Sequence, residues 1–197
     1  LNPNTFVRSN AATLFIQAEQ LGIFTNNAYT RLYKDNAQAA PMMTHDYHSA
    51  TNTPNVGIVH WAFGRDTALT NLSITSFQSD YGLVTYDDSG STDNGFRLLR
   101  ASEYNINDFT LSGNVWVTNT GGTFGLSSDT TIQGLVYQRG DAGSTATVLN
   151  VSNNVLWIQS ALLSIGTNAG SNHEIRRTGD SGALMFGNAS NNYEAVI

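Results

Sequence analysis

Several groups of residues carry side chains able to do chemistry, and each also has a simpler structural reading. His45-Asp46-Tyr47-His48 gathers two imidazoles, a carboxylate and a phenol, a donor set that suits a transition metal. The spacing fits a helix better than a strand and no third ligand stands in view, so a polar surface loop is the simpler reading and no metal site is assigned. Arg139-Gly140-Asp141 is the tripeptide that animal integrins read on exposed loops. The related turn Thr178-Gly179-Asp180 keeps Gly-Asp without the arginine, which makes Arg139 a chance neighbour of a turn.

Acid catalysis on a glycan needs two carboxyl groups set a few ångströms apart, one of them kept protonated by an apolar setting. The fifteen acidic residues cluster in turns, as Asp87-Asp88 does, and the four glutamates, Glu19, Glu103, Glu174 and Glu194, are far apart in sequence. Serine catalysis fares no better, since no Gly-x-Ser-x-Gly elbow is present and the histidines at 45, 48, 60 and 173 lack a nucleophile context. No catalytic residue and no cofactor are therefore expected. Trp61, Trp116 and Trp157 lie inside apolar runs, where a large aromatic is more often core than ligand platform. About two of the three should be buried, and an exposed one beside Asn and Asp would be the first place for a sugar to stack.

The elements that position these residues follow from composition. Counting gives 22 Asn, 22 Thr, 18 Ser and 18 Gly, or 80 of 197 residues, against only 12% charged. Those four types favour turns and strand ends over helices, because their side chains compete for backbone hydrogen bonds or leave the backbone too free. With 40% apolar residues the chain folds, and the expectation is β-structure with many turns. The single lysine, Lys34, and a formal charge of −6 leave no basic face for phosphates, so neither nucleic acid nor an anionic membrane surface is an expected partner. There is no cysteine, hence no disulfide scaffold and no thiolate metal site. No apolar run is long enough to insert in a membrane, and the chain starts at Leu1, as a piece of a longer polypeptide would.

Comparing the chain with itself reveals related segments. Leu14-Phe15-Ile16-Gln17 returns as Leu156-Trp157-Ile158-Gln159, and Gly82-Leu83-Val84-Thr85-Tyr86 parallels Gly134-Leu135-Val136-Tyr137. Aspartates at turns, Asp35, Asp88, Asp141 and Asp180, stand 53, 53 and 39 residues apart, three of them followed by Gly90, Gly143 and Gly182. These positions predict tight hairpins, capped by Asp and turned by Gly at positive φ. Four units are expected, over 1–54, 55–106, 107–150 and 151–197. Val115, Val117, Phe124 and Leu126 alternate around Thr118-Asn119-Thr120-Gly121-Gly122, which predicts one such hairpin. The stretch from Leu14 to Leu21 has helical spacing too, but its relative at 155–158 is β-branched and aromatic, so strand is predicted.

The predicted fold is all-β: degenerate repeats of short antiparallel strands and hairpins stacked along a fibre axis. Each unit is too small to cover both faces of its sheet, and identical neighbours in a parallel homotrimer would supply the cover. Asn/Thr/Gly/Ser-rich β-repeats with Asp-Gly turns, no cysteine and almost no lysine resemble the shaft and receptor-binding regions of tailed-bacteriophage tail fibres. The resemblance implies a homotrimeric virion tail component that contacts other tail proteins and binds host surface polysaccharide or outer-membrane protein. Competing expectations are a monomeric carbohydrate-binding β-module of a bacterial adhesin or enzyme, and a polysaccharide-degrading tailspike.

Overall fold

The structure, a computed structural model, describes residues 13–18, 21, 32, 52–66, 81–87, 95–118, 122–138, 147–160, 163–166 and 173–187. Every regular element among them is a β-strand except one turn of 3-10 helix, as the polar, Gly-rich composition predicts. Strands β1 (Leu14–Ala18), β2 (Ala62–Asp66), β3 (Tyr81–Asp87) and β4 (Gly95–Leu98) form one sheet in that order. Within it β1 and β2 run parallel, while β2 with β3 and β3 with β4 run antiparallel.

A second region starts at the 3-10 turn Ala101–Glu103 and at β5 (Asn105–Ile106). It continues through β6 (Asn114–Thr118), β7 (Gly122–Gly125) and β8 (Thr130–Ile132), then β9 (Gly134–Gln138), β10 (Thr147–Asn150) and β11 (Val155–Ile158). The last three strands are β12 (Leu163–Gly166), β13 (His173–Arg176) and β14 (Ala183–Phe186). After β5, which pairs with the next strand β6, neighbours in sequence do not pair; every third strand does, in parallel, giving sheets β5-β6-β9-β12, β7-β10-β13 and β8-β11-β14. Val115, Val117, Leu135, Tyr137, Leu149, Leu156 and Ile158, drawn from all three sheets, meet in one buried core. The chain thus winds as a three-walled parallel β-solenoid, and parallel pairing is possible because each coil is itself the long crossover that such a pair requires.

This arrangement corrects the expected hairpin at 115–126. Val115 pairs with Leu135 and Phe124 with Leu149, not with each other. The alternation that suggested a hairpin does mark which side chains face inward, but the pleat has a period of two in both parallel and antiparallel sheets. The Asp180–Gly182 turn is corrected likewise: it is a corner between β13 and β14, which belong to different sheets. Gly182 is buried and is not among the described glycines with positive φ; a Cβ there would collide with the backbone carbonyl oxygen of Ser152 in the coil beneath. Asp35, Asp88, Gly90, Asp141 and Gly143 lie outside the described residues. Strands from the expected units 1–54 and 55–106 share the first sheet, and strands from 107–150 and 151–197 share the solenoid walls.

The wall β5-β6-β9-β12 is buried on both faces in its middle strands, as parallel sheets usually are. Val115, Val117, Leu135 and Tyr137 point into the solenoid, while Trp116 and Val136 point out and pack with Val56, Ile58, Leu83, Leu99 and Tyr104. Tyr104 meets Trp116 edge to face at 5.1 Å. Cover for this wall was expected from identical neighbours; the same chain provides it. The strap 54–59 fixes the contact: the Val56 carbonyl accepts from Asn114 Nδ2 at 3.0 Å and Gln133 Nε2 at 2.8 Å, and Val59 N–H donates to Val84 at 2.8 Å.

One buried ion pair ties the two regions. Arg97 of β4 donates two bonds of 2.7 Å to the carboxylate of Glu103 in the 3-10 turn, and both side chains are essentially sealed from solvent. Glu103 also accepts from the backbone N–H of Arg100 at 2.8 Å and of Asn52 at 3.2 Å. Burial by itself would raise the Glu103 pKa, but the hydrogen bonds and charge of Arg97, with the two backbone donors, hold it below the ordinary 4.5. Its contribution to stability is therefore complete above that value and is lost as pH falls through the lowered one.

Two outcomes follow. Arg97→Met, which strands a buried carboxylate, costs about 3–5 kcal/mol in denaturant unfolding, and Arg97→Met combined with Glu103→Leu costs less than the single change. Glu103→Gln is less stable at pH 7 but loses less stability between neutral and acid pH than the parent; an unchanged acid limb would show that another group titrates there.

Candidate functional site

The first coil is cut short, and the shortening makes a groove. Asn105 pairs with Val115, Val115 with Leu135, and Leu135 with Leu163, so the chain returns to this wall after 10, then 20, then 28 residues. Ten residues leave no length for strands above β7 and β8. Residues 107–113 instead form an arc across the end of the solenoid, turning back at Gly113, whose φ of 121° suits glycine alone and whose missing Cβ admits the Pro54 carbonyl. Phe109 on the arc packs against the coil core and closes its end. Asp108 Oδ1 accepts from the backbone N–H and the hydroxyl of Thr110, at 2.8 and 2.6 Å, and Asn105 Nδ2 donates to the Ser112 carbonyl at 3.1 Å.

Between this arc and the outer edge of β7, β8 and their corner lies an open groove of about 710 Å³, lined by residues 107–112 and 123–131. Its size falls within the ~300–1,000 Å³ of small-ligand clefts. Phe109 and Phe124 are half-buried in its lining, which also carries many hydroxyl groups, among them those of Thr123, Ser127, Ser128 and Thr131. Two carboxylates stand in it. The hydroxyl and N–H of Thr110 hold Asp108 below its usual carboxylate range, and Asp129 accepts the Val155 N–H at 2.8 Å. The Asp108 arrangement disfavours the protonated acid that glycoside cleavage uses.

The tryptophans fall as two buried and one half-buried. Trp61 and Trp116 are core, while Trp157 lies on the outer face of β11, flanked in the ladder by Thr131 and the exposed Met185, with its indole N–H donating to the Gly187 carbonyl. Phe15 occupies the equivalent place in the related segment of β1 and is also exposed. His45-Asp46-Tyr47-His48 and Arg139-Gly140-Asp141 lie outside the described residues, and among the described residues no group of three or more potential metal ligands occurs. Glu174 is exposed on β13; its carbonyl accepts from the Tyr137 hydroxyl at 3.1 Å, and burial pushes that phenol up to about 12.

The corners use the polar composition. Asn150 Oδ1 accepts from Ser152 N–H at 2.9 Å while its Nδ2 reaches Thr178 in the next coil at 3.0 Å, and Asn154 Nδ2 reaches back to the Leu126 carbonyl at 2.7 Å. Sequence reasoning missed the groove, since no motif marks it; the only local signal is Asp108-x-Thr110, a self-capping turn. Comparison with protein-family models, curated proteins and solved structures finds no match.

Two glycines of the corners separate packing from openness. Gly182→Ala, which drives a methyl group into a backbone oxygen, lowers stability by about 1–3 kcal/mol. Gly125→Ala, whose Cβ meets nothing within 4 Å, stays within about 0.5 kcal/mol of the parent. Thermal or urea unfolding of the two variants side by side checks the coil stacking.

Proposed function

We propose that this chain is a non-catalytic, structural and adhesive component of a virion, a segment of a trimeric phage tail fibre that supports or carries host-receptor binding. The observation that carries the reading is the parallel ladder of coils: each added coil extends the same three walls along one axis, which suits a rod. Exposed Phe15 and Met185 supply apolar surface for copies of the same chain or for other tail proteins. The acidic charge suits contact with host polysaccharide or an outer-membrane protein better than with nucleic acid.

A second reading has its own support. Because one chain covers the outer face of the β5-β6-β9-β12 wall by itself, a monomeric carbohydrate-binding β-module of an adhesin or enzyme also accounts for the core.

Native mass measurement separates them. The tail-fibre reading expects a species of three 21.3 kDa chains that persists on dilution, together with adhesion to host cells. A stable monomer that binds glycan transfers the assignment to the module, and reducing sugar released from capsule or lipopolysaccharide transfers it to a tailspike enzyme.

A further inference from the structure

We infer that the groove between the 107–112 arc and the edges of β7 and β8 is a binding site for a neutral glycan. The inference deepens the adhesive reading above and rests on it for the biological role of the ligand.

Charge restricts the ligand first. None of the groove-lining residues is Lys, Arg or His, while Asp108 and Asp129 both stand there. Asp108 is held ionised by Thr110, so phosphate, sulfate or uronate groups meet like charge with no cation to offset it. Polarity restricts it next. Phe109, Leu111, Phe124 and Leu126 are the only large apolar side chains of the lining, too few for a lipid tail; Leu126 is buried in the coil core, while the exposed Leu111 and the half-buried Phe109 and Phe124 offer apolar surface to the C–H face of a sugar ring. The surrounding serine and threonine hydroxyls each donate and accept, which matches the hydroxyls of a sugar ring, and the carboxylates add strong acceptors.

A peptide is the other class that a strand edge attracts. Here the edges of β7 and β8 are four and three residues long and belong to different sheets on either side of a corner. A straight extended peptide can pair with only one of them, whereas a glycan with hydroxyls pointing in several directions can contact both.

The test uses the full chain on an array of oligomers of glucose, galactose and N-acetylglucosamine beside matched uronic-acid and sulfated oligomers, with calorimetry on each hit. Neutral oligomers are expected to bind. Gly125→Trp, which fills the groove from a position with open space around its Cβ, is expected to weaken binding at least tenfold with an unchanged unfolding midpoint. Thr131→Trp gives the same result from the β8 side should the first variant misfold. Trp157→Ala is expected to leave affinity unaltered.

Binding restricted to the anionic oligomers, parent-like affinity in both groove variants, or loss in Trp157→Ala alone overturns the inference. So does the absence of glycan binding from a chain that still adheres to host cells, an outcome that leaves the adhesive reading intact. Neutral-glycan binding that the groove variants abolish, in a chain that does not adhere to cells, keeps the groove and removes the adhesive role.

Discussion

A parallel sheet has to be covered on both faces, and that constraint organises the described part of this protein. The wall β5-β6-β9-β12 satisfies it with two separate cores, one inside the solenoid around Leu135 and Tyr137, the other outside around Trp116 and Val136. The first sheet, the 54–59 strap and the 3-10 turn all converge on its outer face, and the polar groups that must go under with them find partners there: Asn114 and Gln133 on one carbonyl, Arg97 on Glu103. A paired charge at that depth is a poor source of net stability but a strong penalty on misplacement, so the ion pair sets how β4 meets the turn.

Strands at Leu14, Gly82, Val115, Gly134 and Leu156, and the inward faces at 115–126, were legible in the sequence; their partners were not. Gly82–Tyr86 and Gly134–Tyr137 are recognisably alike, and both are buried strands, yet β3 pairs antiparallel on both sides and β9 parallel on both. Side-chain alternation carries no information on strand direction, so related segments sit in unlike surroundings. Coil returns of 10, 20 and 28 residues have no common period, which hides a solenoid from any search for a fixed repeat. Two of the three tryptophans are buried, as apolar context predicts, and the strand at Leu14 follows its relative at Leu156.

Asn, Ser and Thr have a use here beyond turn formation. At the corners, where backbone groups leave the ladders, Asn150 and Asn154 carry hydrogen bonds between successive coils, one forward to Thr178 and one back to Leu126. The glycines beside them serve closeness: Gly182 lets the Ser152 carbonyl approach where any side chain would push the coils apart. The groove arises from the same economy of chain length, since an arc too short to build strands leaves hydroxyl-bearing edges uncovered.

In the wall β5-β6-β9-β12, strands β6, β9 and β12 are five, five and four residues long, while the stretches that follow them differ more. The chain spends residues 119–121 between β6 and β7, 139–146 between β9 and β10, and 167–172 between β12 and β13, yet the ladders on either side keep their register. The number of residues between these strands is thus uncoupled from the register of the ladders, so the scaffold tolerates changes of length there without rebuilding its walls.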